Sequence, residues 1–339
     1  MRKIIFVLFV FILSNNLFAQ DWLNHQIVVG CRIFDLKGSV LKVLPGDYCL
    51  FFDDGRLLSR GFHGITMYNK ESQKLWHIDG YFHHQMNFNQ DKSQILAIGS
   101  ALVERNKKKI KIDKLMVISF EGKILHEVTS EDLNQQAKLV ENIREAGAIV
   151  LSQLNTSLEL THFNSFYELP KFTKSKLPQY LYDSSFVVNG RGDGVYFLSA
   201  DLKILKKHFF LKQAFEHEIH DVQLFEDGIM LFYNNLMPGF VREVKGSAIQ
   251  EMDLKSEKIV FQFTGQPMTL FYSEVSGGVQ RLDADHLLFS HLVAGSFIYS
   301  RSKKEIVWFS FNTHKHGPSF VAVQQVKSID LRSFLSHWK

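Results

Sequence analysis

Proline and cysteine are scarce, with 6 and 2 among 339 residues. So little proline excludes collagen and Pro-rich linkers, and a composition of 45% hydrophobic and 22% charged residues with 31 Phe excludes disorder. Two cysteines, Cys31 and Cys49, make no disulfide framework; they either pair or pack as two small buried hydrophobes. Charge of one sign is lacking too. The formal net charge is +4, and it falls to +2 once Arg2 and Lys3 are removed with the leader, so a nucleic-acid partner is not expected. No G-x-S-x-G elbow and no G-x-x-x-x-G-K-[ST] loop occurs, which removes serine hydrolase and phosphate-cradling chemistry. Neither cysteine sits near a matched histidine, so cysteine chemistry is set aside as well.

Long apolar runs are also missing. The run Ile4 to Leu13 is ten residues, too short to span a bilayer, and no other segment is long enough. With Arg2 and Lys3 before it and Ala19 behind it, it reads as a secretory signal peptide over 1–19, cut after Ala19. The expected location is therefore periplasmic or secreted, with no membrane span in the mature chain. No cysteine follows the run, so a lipoprotein anchor has no attachment point.

What the chain has is repetition. At this length it is either two domains or one large repetitive fold. One hairpin pattern, apolar alternation around a polar turn, recurs as IFDLKGSVLKVL, MYNKESQKLWHI, VISFEGKILHEV, YFLSADLKILKKH, MDLKSEKIVFQF and IYSRSKKEIVWFS. A second, with a stronger turn, recurs as CLFFDDGRLLSRG, HQMNFNQDKSQILAIGS, DVQLFEDGIMLFYNN and GVQRLDADHLLFSHL. Two hairpins make four strands, and four-stranded units repeated every few tens of residues predict an all-β, six-bladed β-propeller. The 320 residues from Gln20 form a single domain over 20–339, averaging about 53 residues per blade.

The hairpin around Cys31 to Leu44 and the apolar stretch SFVAVQQV from Ser319 are each incomplete, so N- and C-terminal strands are expected to share a sheet and close the ring. One segment departs from the pattern. TSEDLNQQAKLVENIREAG has apolar residues three or four apart behind Thr129 or Ser130, and predicts an inserted helix over about 130–146. Pro170 to Pro178 reads as a lengthened hairpin loop. A two-domain α/β protein would need further helices between strands.

Aligning first strands exposes candidate chemistry. His84 lies seven residues before Asp91, and His220 seven before Asp227. His162 stands at the start of its own blade's first strand, and Gly277 takes the place in the next. First strands line the central channel, so the three imidazoles should share one mouth. Arg191 ends the returning strand and should lie on the same rim. A guanidinium with three imidazoles forms a receptacle for an oxyanion. His83 replaces His84 if the register slips by one. Surface or core roles are assigned to His63, His77, His126, His208, His286, His291 and His337. A zinc, iron or copper site is the rival chemistry, opposed by Arg191 and by the lack of a carboxylate in matching register.

FHHQM (82–86), THFNS (161–165), VVNGR (187–191), IHDVQLFEDGIMLFYNN (219–235) and FYSEVSGGVQRLDADHLLFSHL (271–292), in this order, resemble the arylsulfate sulfotransferase family of secreted six-bladed propellers. The chain departs from the family pattern at Asn189-Gly190, where serines are usual, and at the turn 283–286. The resemblance implies transfer of a sulfuryl group from an aryl sulfate to a phenol, ping-pong and without nucleotide or other cofactor. It implies His220 as the nucleophile, with His84, His162 and Arg191 holding the sulfuryl oxygens and no metal. The partners would be small phenols and aryl sulfates, with oligomeric state left open. A non-catalytic ligand- or protein-binding propeller is the alternative, since a fold alone does not grant an activity.

Overall fold

The computed structural model describes residues 25–310 and 323–327, apart from 30, 35–39, 53, 62, 85, 106, 134–149, 152–157, 160–161, 172–175, 191–193, 209–217, 237–245, 265–276 and 292–294. The expected signal peptide therefore lies outside the described residues.

The chain is all-β and builds its sheets one after another. The first strands are β1 (His25–Val29), β2 (Arg32–Phe34) and β3 (Val40–Val43), followed by a sheet of β4 (Tyr48–Phe51), β5 (Leu57–Gly61), β6 (Gly64–Tyr68) and β7 (Lys74–Asp79). The next sheet holds β8 (Tyr81–Phe82), β9 (Asn87–Phe88), β10 (Gln94–Arg105), β11 (Lys108–Ser119), β12 (Ile124–Thr129), β13 (Val150–Leu151) and β14 (Leu158–Glu159). Then come β15 (Phe163–Glu168), β16 (Phe186–Gly190), β17 (Gly194–Leu198) and β18 (Ile204–His208) as one sheet. Another is β19 (Glu218–Leu224), β20 (Ile229–Leu236), β21 (Gly246–Asp253) and β22 (Lys258–Thr264). The last is β23 (Gly278–Arg281), β24 (His286–His291), β25 (Gly295–Ser300) and β26 (Glu305–Ser310). The final strand, β27 (Val323–Lys327), returns to pair antiparallel with β1, so the two ends of the described chain share a sheet.

Four of these sheets have four strands in sequential order, a fifth runs β27-β1-β2-β3, and the sheet around β10 and β11 has seven. Six four-stranded blades were expected. One extra strand comes from the division of the first strand into β8 and β9; β13 and β14 arise because β10 and β11 are twelve residues each and outrun their neighbours, so β14 pairs beside the overhang at Ile110 and Lys111 while β12 pairs lower down.

Successive sheets pack face to face in a β-propeller arrangement. Leu50, Leu58 and Met67 meet Phe82, Ile95 and Ala97 of the following sheet; Leu96 and Leu115 meet Phe163, Phe166 and Tyr196 of the one after. Val187 and Phe197 then meet Val222 and Met230, and Leu231 and Ile249 meet Val279 and Phe289. β27 lies against β23 and β24, which brings the last sheet back to the first. Each such side chain contributes about 1.5–3 kcal/mol on burial, so the interfaces between sheets carry much of the stability.

The repeat is visible in the backbone. Every pairing of a sheet's last two strands shifts register at the same place, from Ile33/Phe34 and Met67/Tyr68 through Val117/Ile118, Phe197/Leu198 and Glu251/Met252 to Ile298/Tyr299. Such bulges increase twist, which a blade needs. The Asp-Gly turns behave as their chemistry predicts. Gly228 has φ of 81°, and a Cβ there would stand 2.7 Å from the Lys176 carbonyl oxygen, so only glycine fits.

The expected helix begins at 130–133, where Thr129 caps it: the Asp132 backbone N–H donates to Thr129 Oγ1 (3.1 Å), and Thr129 Oγ1 donates back to the Asp132 carboxylate (2.6 Å). The rest of that stretch lies outside the described residues. Pro178 stands ahead of a 3-10 turn, Gln179–Leu181. Cys31 and Cys49 form a disulfide that ties the closing sheet to the next one, so the pairing left open by the sequence is realised. Bridging residues 18 apart constrains the unfolded chain by about 3 kcal/mol. No helix among the described residues is long and apolar enough to cross a membrane.

Candidate functional site

Three inner strands lose their regular pairing at the same level. In the seven-stranded sheet the inner strand splits into β8 and β9, and His83 and His84 occupy the break. In β15 the register shifts across Asn164, and in β19 it shifts across His220. A residue at such a break is re-aimed out of the sheet's alternation. His84 and His220 thus hold equivalent places, as their spacing to Asp91 and Asp227 suggests. The third place belongs to Asn164, with His162 two residues earlier, just before β15.

His84 carries the strain. Its φ is 57°, a left-handed conformation uncommon for a residue with a Cβ. Arg60 of β5 holds it there by donating from Nη1 to the His84 carbonyl oxygen. Arg60 is itself buried, and burial lowers its pKa to about 10 against the opposing pull of Asp47.

The rings of His84 and His162 meet at 2.6 Å between their Nε2 atoms, bringing together residues 78 apart in sequence. One Nε2 must carry the proton and the other the lone pair. His83 stacks on His162 with centroids 5.2 Å apart, and its ring centroid is 4.7 Å from that of His84. Burial, then the neighbouring charges of His162, His83, His220 and Arg60, push His84 well below its ordinary pKa. It is therefore neutral at physiological pH, and His220 is near enough for its charge to act on it.

Asp113 of β11 anchors the cluster from behind. Its carboxylate accepts from His83 Nε2 (3.0 Å), Ser100 Oγ (2.9 Å) and the Phe163 backbone N–H of the next sheet (2.9 Å), with Lys111 Nζ 3.9 Å away. Burial drives His83 down to about 4 despite Asp113. Burial also raises Asp113, but the charge and hydrogen bond of His83, with His162 and Lys111 beyond, bring it to about 2. A neutral His83 donating to an ionised Asp113 has its proton on Nε2, so Nδ1 carries the lone pair. That Nδ1 is buried and has no hydrogen-bond partner among the described residues.

Of the expected site residues, His84 and His162 touch, and His220, itself buried, lies within electrostatic reach. Arg191 lies outside the described residues. Sequence reasoning kept His83 only as a substitute for His84, whereas both rings belong to the cluster. It missed Asp113, Ser100, Lys111 and Arg60. Two of these leave a trace: Asp113 interrupts the apolar strand KIDKLMVI, and Arg60 the strand LLSRG, and a charge on a buried strand calls for a partner. Chemically, the arrangement offers imidazoles that can donate Nε2–H to an oxyanion or present lone pairs to a metal or an electrophile.

No protein-family model matches the chain, and comparison with curated proteins returns no match. Among solved structures, the chain is similar to a protein of unknown function from Bacteroides caccae, at 11% identity over 88% of this chain and 98% of that one, with a TM-score of 0.55. It also matches the WD40 β-propeller domain of Doa1 at 10% identity over 75% of this chain and 78% of that one, with a TM-score of 0.38. At such identities the first likeness concerns the fold alone.

Proposed function

We propose that the protein is an exported, nucleotide-independent aryl sulfotransferase that works through His220. We count the seven-stranded sheet as the sixth blade, with β13 and β14 as additions to its overhang. The observation that carries the reading is the meeting of His84, at the break of its inner strand, with His162, just ahead of β15, and with His220 of a matching break in electrostatic reach. The Cys31–Cys49 disulfide supports export through a signal peptide over 1–19 into an oxidising compartment.

In the first step a ring nitrogen of His220 attacks the sulfur of an aryl sulfate. The N–S bond forms as the S–O bond to the aryl group breaks, and phenolate leaves and takes up a proton. In the second step the acceptor phenol gives up its proton, its oxygen attacks sulfur, and the N–S bond breaks to regenerate neutral His220. Sulfuryl transfer resembles phosphoryl transfer, with charge on the equatorial oxygens, so fixed donors do most of the work. The sulfuryl group would replace the His84–His162 hydrogen bond, each ring donating Nε2–H to an oxygen, with Arg191 as the permanent charge. His84, held neutral, donates a hydrogen bond and not a proton.

The test is turnover of an aryl sulfate with and without a phenol acceptor. Phenol release should depend on acceptor, His220→Asn should abolish it, and His84→Ala or His162→Ala should each lower it about 10²- to 10³-fold. Full turnover by His220→Asn removes the assigned nucleophile. No turnover by the wild type leaves a non-catalytic ligand- or protein-binding propeller.

A further inference from the structure

We propose that His83, His84 and His162 together form a binding site for a divalent transition metal of the zinc class, with Asp113 as its outer-shell anchor. One nitrogen from each of the three rings can be chosen so that all lie within 4.8 Å of one another. Three imidazoles with a fourth position left for water is a common open zinc arrangement, with Zn–N bonds of roughly 2.0–2.1 Å. Coordination at that bond length would require the rings to move from their present spacing.

The strongest indication is the orientation of His83. Its Nε2–H is committed to the Asp113 carboxylate at 3.0 Å, which leaves Nδ1 with a lone pair, and that buried atom finds no hydrogen-bond donor among the described residues. A carboxylate fixing the tautomer of a histidine so that the other nitrogen faces a metal is the usual outer-shell device. Asp113 is fixed in turn by Ser100 Oγ and the Phe163 N–H. His84 and His162 present their Nε2 atoms to each other, so a metal between them exchanges one N–H···N contact for two coordinate bonds. The Arg60 and Lys111 charges oppose a dication, but Arg60 is turned to the His84 carbonyl with Asp47 acting on its charge, and Lys111 stands 3.9 Å from the Asp113 carboxylate.

This site does not require the transfer reading. A corollary does rest on that reading: bound zinc occupies the His84 and His162 nitrogens that would hold the sulfuryl oxygens, and so inhibits transfer.

The experiment is equilibrium dialysis of untagged full-length protein against zinc chloride, with elemental analysis of the retained metal and turnover measured on metal-free aliquots of the same samples. One zinc per chain is expected, lost in the His84→Ala/His162→Ala double variant. Asp113→Asn, which keeps an acceptor for the Phe163 N–H, should weaken retention about 10- to 100-fold. Thermal melts of each variant verify folding. The proposal is overturned if wild-type protein retains no zinc, or if the folded double variant retains as much. Turnover without zinc retention sinks the metal site alone; zinc retention without turnover sinks the transfer reading alone.

Discussion

Two buried aspartates tie neighbouring sheets together, and they do so in different company. Asp221, on inner strand β19, accepts the Val279 backbone N–H of the next sheet at 3.1 Å, and its other oxygen takes the Tyr167 hydroxyl at 3.0 Å. Asp113, on β11, accepts the Phe163 N–H at 2.9 Å, but its other oxygen takes His83. A third junction does the same work without charge, since Ser165 Oγ accepts the Val222 N–H. The backbone link therefore needs only an acceptor. What singles out the Asp113 junction is that its spare oxygen fixes an imidazole beside two others, while the Asp221 carboxylate is satisfied by a phenol and an amide.

The largest effect that sharpens this contrast is on stability. Asp113→Asn and Asp221→Asn each leave buried donors poorly matched and should cost about 3 kcal/mol in urea unfolding, alike in size because both links are structural. A much smaller loss at Asp113 would mean that the carboxylate's bonds to His83 and Ser100, which an asparagine cannot both keep, contribute little to stability.

A smaller effect separates the two junctions by pH. His83 is held down near 4 in the folded protein, below the ordinary histidine value of 6.5. Between those values the unfolded chain binds more protons, so stability falls as pH is lowered from about 6.5 towards 4, on the order of 1 kcal/mol per pH unit for His83, with His84 adding in the same direction. His83→Gln should flatten that acid slope in metal-free protein, and Tyr167→Phe should leave it unchanged. Equal slopes in wild type and His83→Gln would show that the imidazole is not kept neutral by burial.

Most of the propeller was legible because its repeat is written in turn chemistry. Six outer hairpins, from Ile33 to Ser310, were read from polar turns between apolar alternations, and the structure gives all six the same bulge. Strand pairing of the ends was legible from two incomplete sheets. The overhang of β10 and β11 was not, because the strand run QILAIGSALVER shows no local sign of how far its partners extend. At the site, spacing to a shared turn located His84 and His220, since turn position sets strand register. His162 was read as the start of its blade's first strand; the structure sets it just ahead of β15, in contact with His84, and puts the strand's break at Asn164. Asp113 left a trace as a charge on an apolar strand, but its partners did not: Phe163 and His83 are 50 and 30 residues away, contacts that the fold alone creates.

The central claim is that His220 is a nucleophile towards sulfur, and its most direct test is covalent. Metal-free protein is mixed with an aryl sulfate in the absence of acceptor, quenched at alkaline pH and examined by peptide mass spectrometry. The account predicts one SO3 adduct on His220, discharged by added phenol and absent in His220→Asn. An adduct on another residue, or acceptor-dependent turnover with no adduct at any time, would contradict it.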